Sequence, residues 1–279
     1  MSMARVEQFG RRCATEVRRV SRRLGLTWRG WCALGAGVLA LGAAMTVLAG
    51  VSEDVTQHNG LATSDPSHLR FFTDHRPDVL VHASRIVTDL GNAAIVAVIA
   101  IAAGLLLWRR GLPAIMAAAP AVALGVAAVL GDLAKRLVDR GRPPMSLRLI
   151  VEGEPSFPSG HATNAAAVYL TIGLILAVFV FRRPLLRAAA VASAALITGA
   201  VGASRLVLGV HWPSDVLAGW ALGAVVALGV TIAATLVVAL IPTDITPPRG
   251  RFQRVITVVG RFLTVERGSM RRRTSFRAA

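Results

Sequence analysis

Long apolar stretches separated by short polar connectors dominate the middle of the chain. Six of them, at 31–51, 86–108, 112–134, 162–181, 188–207 and 215–241, are each about as long as a bilayer is thick. A helix crosses the hydrocarbon core in about 20 apolar residues, so the pattern predicts six transmembrane helices. Gly and Ala recur inside these stretches, which suits close helix–helix packing. The connectors after the second and fourth stretches are short and hold Arg109-Arg110 and Arg182-Arg183-Pro184. Segment 52–85 is longer and polar. It is expected to be an outer loop that can carry a surface helix next to the second span. Its His58, His68, His75 and His82, with Asp54, Asp65, Asp74 and Asp78, match no strong metal-ligand spacing.

The ends of the chain differ from the middle. Val6, Phe9, Cys13, Val17, Val20 and Leu24 recur at helical spacing among arginines, as do Phe252, Val255, Ile256, Val259, Phe262 and Leu263. Two readings stand: basic amphipathic helices on an anionic membrane surface, or solvated positive flanks without fixed structure. The first apolar run, 31–51, follows a basic region of about 30 residues and is longer than the apolar core of a secretory signal, so it is expected to be an uncleaved span. The predicted organisation is a basic N-terminal segment (1–30), a transmembrane domain (31–241) and a basic tail (242–279).

Composition agrees with this picture. The chain of 279 residues is 54% hydrophobic and 16% charged, with a mean hydropathy of +0.59, too apolar for an ordinary soluble domain. A net charge of +16 would suit nucleic acid, but the arginines lie at the termini and between apolar runs, so no nucleic-acid partner is expected. They orient the chain instead. With a cytoplasmic N-terminus, 22 basic residues fall on the inner side and 9 on the outer, which predicts both termini inside. Trp28, Trp31, Trp108 and Trp212 fall near predicted interfaces, as an aromatic belt would place them. Cys13 and Cys32 have neither disulfide nor metal spacing.

Three fragments at span ends carry the chemistry. They are Lys135-x6-Arg142-Pro143, Pro158-Ser159-Gly160-His161, and Ser204-Arg205-x5-His211-x3-Asp215; Lys135 is the only lysine in the chain. Residues 161–204 allow two crossings joined by a turn at Arg182–Pro184, so the second and third fragments return to one side, where the third span also ends. Lys135 and Arg142 would share a face if the helix persists, with Gly141, Pro143 and Pro144 stopping it. Lys135, Arg142 and Arg205 can spread positive charge over phosphate oxygens. Ser159 adds a hydroxyl, Gly160 an unobstructed amide, and the start of the fourth span a favourable helix terminus. His211 and Asp215, four apart, let the carboxylate hold one imidazole nitrogen and leave the other to attack. His161 is then available for acid–base work on the leaving oxygen. Arg136, Asp139, Arg140, Arg148, Glu152 and Glu154 are expected as rim charges. Asp132 is expected to pair with Lys135 or Arg136.

Together these fragments resemble the signature of the type 2 phosphatidic acid phosphatase family, a group of integral membrane lipid phosphatases. The resemblance spans roughly 84–241. It implies a six-helix bundle and metal-independent hydrolysis through a phosphohistidine on His211, with no cofactor. It implies His161 as proton donor, Asp215 as partner of His211, and Lys135, Arg142, Ser159, Gly160 and Arg205 as the phosphate grip. The motif is also similar to that of vanadium haloperoxidases, which are soluble and hold vanadate at the phosphate site. The expectation is thus an all-α, multi-pass plasma-membrane enzyme. It would act on a lipid or polyprenyl phosphate or diphosphate at its extracytoplasmic face. A phosphotransferase using the same residues, or a non-catalytic anion-binding membrane protein, are the alternatives.

Overall fold

The structure is a computed structural model that describes residues 28–240 other than Glu154. Two compact units divide the chain: its ends, Met1–Ala36 with Val237–Ala279, and a body, Gly37–Leu236. Of the first unit only the opening turns of one helix and the last residues of another are described. The two arginine-rich tail segments, and Cys13, lie outside the described residues.

The body is built of helices: α1 (Trp28–Gln57), α2 (Gly60–Asp74), α3 (Asp78–Thr88), α4 (Ala93–Arg109), α5 (Ala114–Val138), α6 (Gly160–Ile175), α7 (Pro184–Val207) and α8 (Pro213–Leu240). Five are long and apolar enough to cross a membrane: Cys32–Gln57 of α1, Ala114–Val138, Gly160–Val180 (α6 with a π-helical turn), Pro184–Val207, and Pro213–Val238 of α8. The bent pair Asp78–Gly91 and Ala93–Arg109 passes the same test jointly and counts as a sixth if it is one broken span. The protein is therefore a helical, multi-pass membrane protein.

Three details differ from the hydropathy reading. The second span is not continuous: α3 and α4 meet at 57°, and the Asn92 side chain caps α4 by accepting from the Ala94 amide at 3.0 Å. Segment 52–85 is helical and not a loop, because polar side chains close its turns locally. Asp54 accepts the Leu61 amide at 2.9 Å and so serves the orphan first turn of α2. Third, α5 stops at Val138, three residues before Gly141, since Asp139 takes a left-handed backbone (φ 43°) and donates its amide to the Lys135 carbonyl. Lys135 and Arg142 therefore do not share a helix face.

α6 is the most enclosed helix, and small residues make this possible. Gly219 and Gly223 of α8 lie so close to α6 that a Cβ on them would fall 2.8 Å from the Ser159 carbonyl oxygen and 2.4 Å from Ala166 Cβ. Gly173 meets α7 in the same way, 2.9 Å from Ala194 Cβ. With no hydrophobic drive between helices in lipid, this close backbone approach is what holds spans together. Ala165, Tyr169, Ala194 and Val201 fill the α6–α7 seam, and Val51 and Val55 of α1 pack on Phe157 and Ala218 beneath the loop that leads into α6.

Candidate active site

The C-termini of α5 and α7 and the N-termini of α6 and α8 lie at one end of the body, and the eight predicted site residues sit on them or on the loops between them. Lys135 is in the last turn of α5. Its Nζ comes so near Gly160 that a Cβ there would be 3.8 Å away. Ser159 is the N-cap residue of α6 and donates its amide to the Asp215 carbonyl at 3.0 Å, joining the starts of α6 and α8. Arg205, fully buried, is in the last turn of α7. Gly209 (φ +71°) then turns the chain, bringing His211 and Trp212 back beneath the 141–156 loop. The positive φ is easy for glycine, and a side chain there would strike the Leu147 carbonyl.

His211 precedes α8 instead of lying on it, yet its pairing with Asp215 persists. Pro213 opens the helix, and Asp215 Oδ2 accepts the Trp212 amide at 2.9 Å, as the acidic member of a capping box does. The same oxygen lies 3.4 Å from His211 Nδ1. On the other side of the ring, Arg142 Nη1 is 3.0 Å from Nε2. A guanidinium can only donate, so Nε2 carries the lone pair and Nδ1 the proton. Arg142 is held in place by carbonyls: Nε donates to Gly153 at 2.7 Å and Nη1 to Val210 at 2.8 Å. Burial pushes the His211 imidazole down from its usual range to about 4, and the Arg142 and Arg205 charges add to this against the pull of Asp215.

Arg205 Nη1 donates to Thr88 Oγ1 at 2.7 Å, and Nη2 donates to the Glu152 carboxylate. Burial raises the Glu152 carboxyl, but the charge and hydrogen bond of Arg205 outweigh it and hold the group below its usual range. Ser159 Oγ and Arg205 Nε are buried without a hydrogen-bond partner among the described residues. Leaving such groups unmade costs about 1–3 kcal/mol each, and a phosphate oxygen is an acceptor for both. His161, half-buried one residue into α6, packs its backbone against Gly91.

Several residues matter more here than the sequence suggested. Arg140, expected at the rim, bridges Asp65 (Nη2–Oδ2 2.7 Å) and Asp215 (Nη1–Oδ1 2.6 Å), bonds Ser214 Oγ, and lies over the Trp212 ring. Trp212 itself donates Nε1–H to the Gly141 carbonyl at 2.9 Å, tying it to the site loop. Glu152 binds Arg205 and is not merely a rim charge. Asp65 was weighed only among the acidic residues of segment 52–85 and Thr88 not at all, since both lie far in sequence from the motifs. Arg140, two residues before Arg142 in Arg-Gly-Arg-Pro, could have been found by that adjacency. Asp132 is exposed, and among the described residues it pairs with neither Lys135 nor Arg136. Glu154 is not described.

A family model for the PAP2 superfamily matches residues 70–238. Over 142 residues the chain is 33% identical to phosphatidylglycerophosphatase B of Bacillus subtilis, covering 49% of this chain and 66% of that protein. Over 104 residues it is 36% identical to decaprenylphosphoryl-5-phosphoribose phosphatase of Mycobacterium tuberculosis, covering 36% of this chain and 51% of that one. The matches thus span about half to two thirds of those relatives' own lengths. The crystal structure of a transmembrane PAP2 type phosphatidylglycerolphosphate phosphatase from Bacillus subtilis superposes with a TM-score of 0.60 at 24% identity, covering 74% of this chain and 98% of that one. That likeness is one of fold.

Proposed function

The chain belongs to the PAP2 superfamily, and from that premise we propose that it is a membrane phosphatase. Its substrate would be a lipid or polyprenyl phosphate or diphosphate, hydrolysed through a phosphohistidine on His211. The observation that carries this reading is the state of the His211 ring. It is buried and neutral, with Nδ1–H toward Asp215 and the Nε2 lone pair 3.0 Å from a guanidinium fixed by backbone carbonyls. A phosphoryl group drawn onto Arg142 would meet that lone pair directly.

In the proposed reaction His211 Nε2 attacks phosphorus and the bond to the lipid oxygen breaks. His161 gives that oxygen a proton. Asp215 stabilises the positive ring. Water then attacks the phosphohistidine, His161 takes its proton, and inorganic phosphate leaves. Arg142, Arg205, Lys135, the Ser159 hydroxyl and the Gly160 amide hold the phosphoryl oxygens. No metal or cofactor takes part in this scheme. The inner excess of basic residues supports an extracytoplasmic site with both termini inside; the proposed location is the plasma membrane. The lipid chains would stay in the bilayer while the head group enters at the helix ends.

The full chain purified in detergent should release inorganic phosphate from a dispersed lipid phosphate. His211→Ala should abolish that release while leaving the protein folded; substantial release by this variant contradicts the reading. Phosphotransfer uses the same residues, and tracing labelled phosphate into an acceptor lipid separates it from hydrolysis.

A further inference from the structure

Asp65 is the one acidic side chain of α2 that is fully buried, at 1% exposure, and it stands five residues before the region matched by the family model. Its contacts reach the start of α8 and Arg140 in the loop after α5. Oδ1 accepts the Ser214 amide at 2.9 Å, and Oδ2 accepts the Ser214 hydroxyl and Arg140 Nη2 at 2.7 Å. The Ser214 amide is one of the orphan donors of a helix N-terminus, so a carboxylate from another helix caps α8 at its positive end. Arg140 spans the gap between Asp65 and Asp215, and Asp215 is likewise fully buried.

This arrangement bears on the hydrogen bond that orients His211. The Asp215 carboxylate is shared three ways: Oδ1 with Arg140 at 2.6 Å, and Oδ2 with the Trp212 amide at 2.9 Å and His211 Nδ1 at 3.4 Å. Its rotamer is therefore set chiefly by Arg140 and Trp212. A lone Arg140 would also neutralise Asp215 and weaken its hold on a positive imidazole. Asp65 supplies a second negative charge for Arg140, so the trio keeps a net negative charge beside the ring. Two buried carboxylates held by one partly buried cation are costly to desolvate, and the trio is poorly explained as a contribution to stability alone.

We propose that Asp65 is a positioning residue for the reaction, acting through Arg140 on Asp215 and hence on His211, so that α2 forms part of the catalytic apparatus. This rests on the phosphatase reading. Outer partners of ligating histidines offer the nearest precedent in scale, and their loss costs about 10- to 100-fold in activity. Asp65→Asn should lower kcat by about that factor with KM essentially unchanged, since Asp65 is not in the phosphate grip. Asp65→Glu should restore part of the loss. Asp65→Asn keeps the ion pair of Arg140 with Asp215, so it leaves no uncompensated cation and should fold. The double variant Asp65→Asn/Arg140→Gln is the second variant. It should have a low kcat close to that of Arg140→Gln, showing that the two residues act as a unit.

The test is steady-state phosphate release by the full chain in detergent micelles with a short-chain lipid phosphate, with size-exclusion and thermal unfolding as folding checks. Wild-type kcat in folded Asp65→Asn, or in the folded double variant, overturns the proposal, as does a loss confined to KM. If the wild type releases no phosphate, or His211→Ala matches it, the phosphatase reading has failed. If those controls behave and Asp65→Asn keeps its kcat, only the Asp65 proposal has failed.

Discussion

Gly91 gives the sharpest link between packing and activity. It sits at the bend between α3 and α4, and its Cα faces the first turn of α6. A methyl group there would fall 2.5 Å from Val201 Cγ1 and 2.9 Å from both Cβ and the carbonyl oxygen of His161. Ordinary contact begins at 3.4 Å, so the start of α6 must retreat by about 0.5 Å in Gly91→Ala, or α3 must move back by as much. The valine tip can rotate, but the His161 carbonyl belongs to the α6 backbone and cannot. Overpacking of this kind costs about 1–3 kcal/mol in stability. The retreat carries His161, Gly160 and Ser159 with it. A misplacement of 1 Å can cost about 100-fold in rate, so half that distance should cost roughly tenfold in kcat. The assay is phosphate release alongside thermal unfolding, with Gly125→Ala as control, because a Cβ on Gly125 meets nothing within 4 Å. A Gly91→Ala protein with wild-type kcat and wild-type unfolding temperature would refute this reasoning.

The site sets further expectations. Because His211 titrates near pH 4 in the folded protein, kcat/KM should show no loss from its protonation between pH 8 and 5, and a pH–rate profile checks this. Its pKa is lowered on folding, so the unfolded chain takes up more protons between about 6.5 and 4. That part of the stability should therefore decline as pH falls through the window, seen as a falling unfolding temperature. Arg205→Lys should lower kcat by about 100- to 1,000-fold, since a point charge cannot bond Thr88 and Glu152 and still present a fork to phosphate. Orthovanadate, a mimic of the phosphoryl group, should inhibit competitively with the lipid substrate, measured as a rise in apparent KM at constant kcat.

Much of the body was legible in the hydropathy pattern, because long apolar stretches leave a membrane helix little freedom. The five unbroken spans appear where the pattern put them, and the three motif fragments come together at one end. What escaped the sequence has local causes. The break at Asn92 depends on one side chain capping a helix inside an otherwise apolar run. The early stop of α5 depends on Asp139 adopting a left-handed conformation more common for glycine. Segment 52–85 looked like a loop because its helices are short and polar; local side-chain bonds close their turns, and α2 also buries Asp65 and Leu69. Asp65 itself was invisible as a site neighbour: 75 residues separate it from Arg140, and in sequence it is one of several acidic residues of segment 52–85. Arg140 and Glu152 were visible as charges, but only the folded loop shows that they bind Asp215 and Arg205.

The central claim is that His211 carries the phosphoryl group. Rapid acid-free quenching of the full chain during turnover of a lipid labelled with radioactive phosphate, followed by peptide mapping, tests it most directly. An acid-labile, base-stable label is expected on the peptide containing His211, absent in His211→Ala and prolonged when His161 is replaced. Label on any other residue, or undiminished turnover by His211→Ala, would contradict the claim.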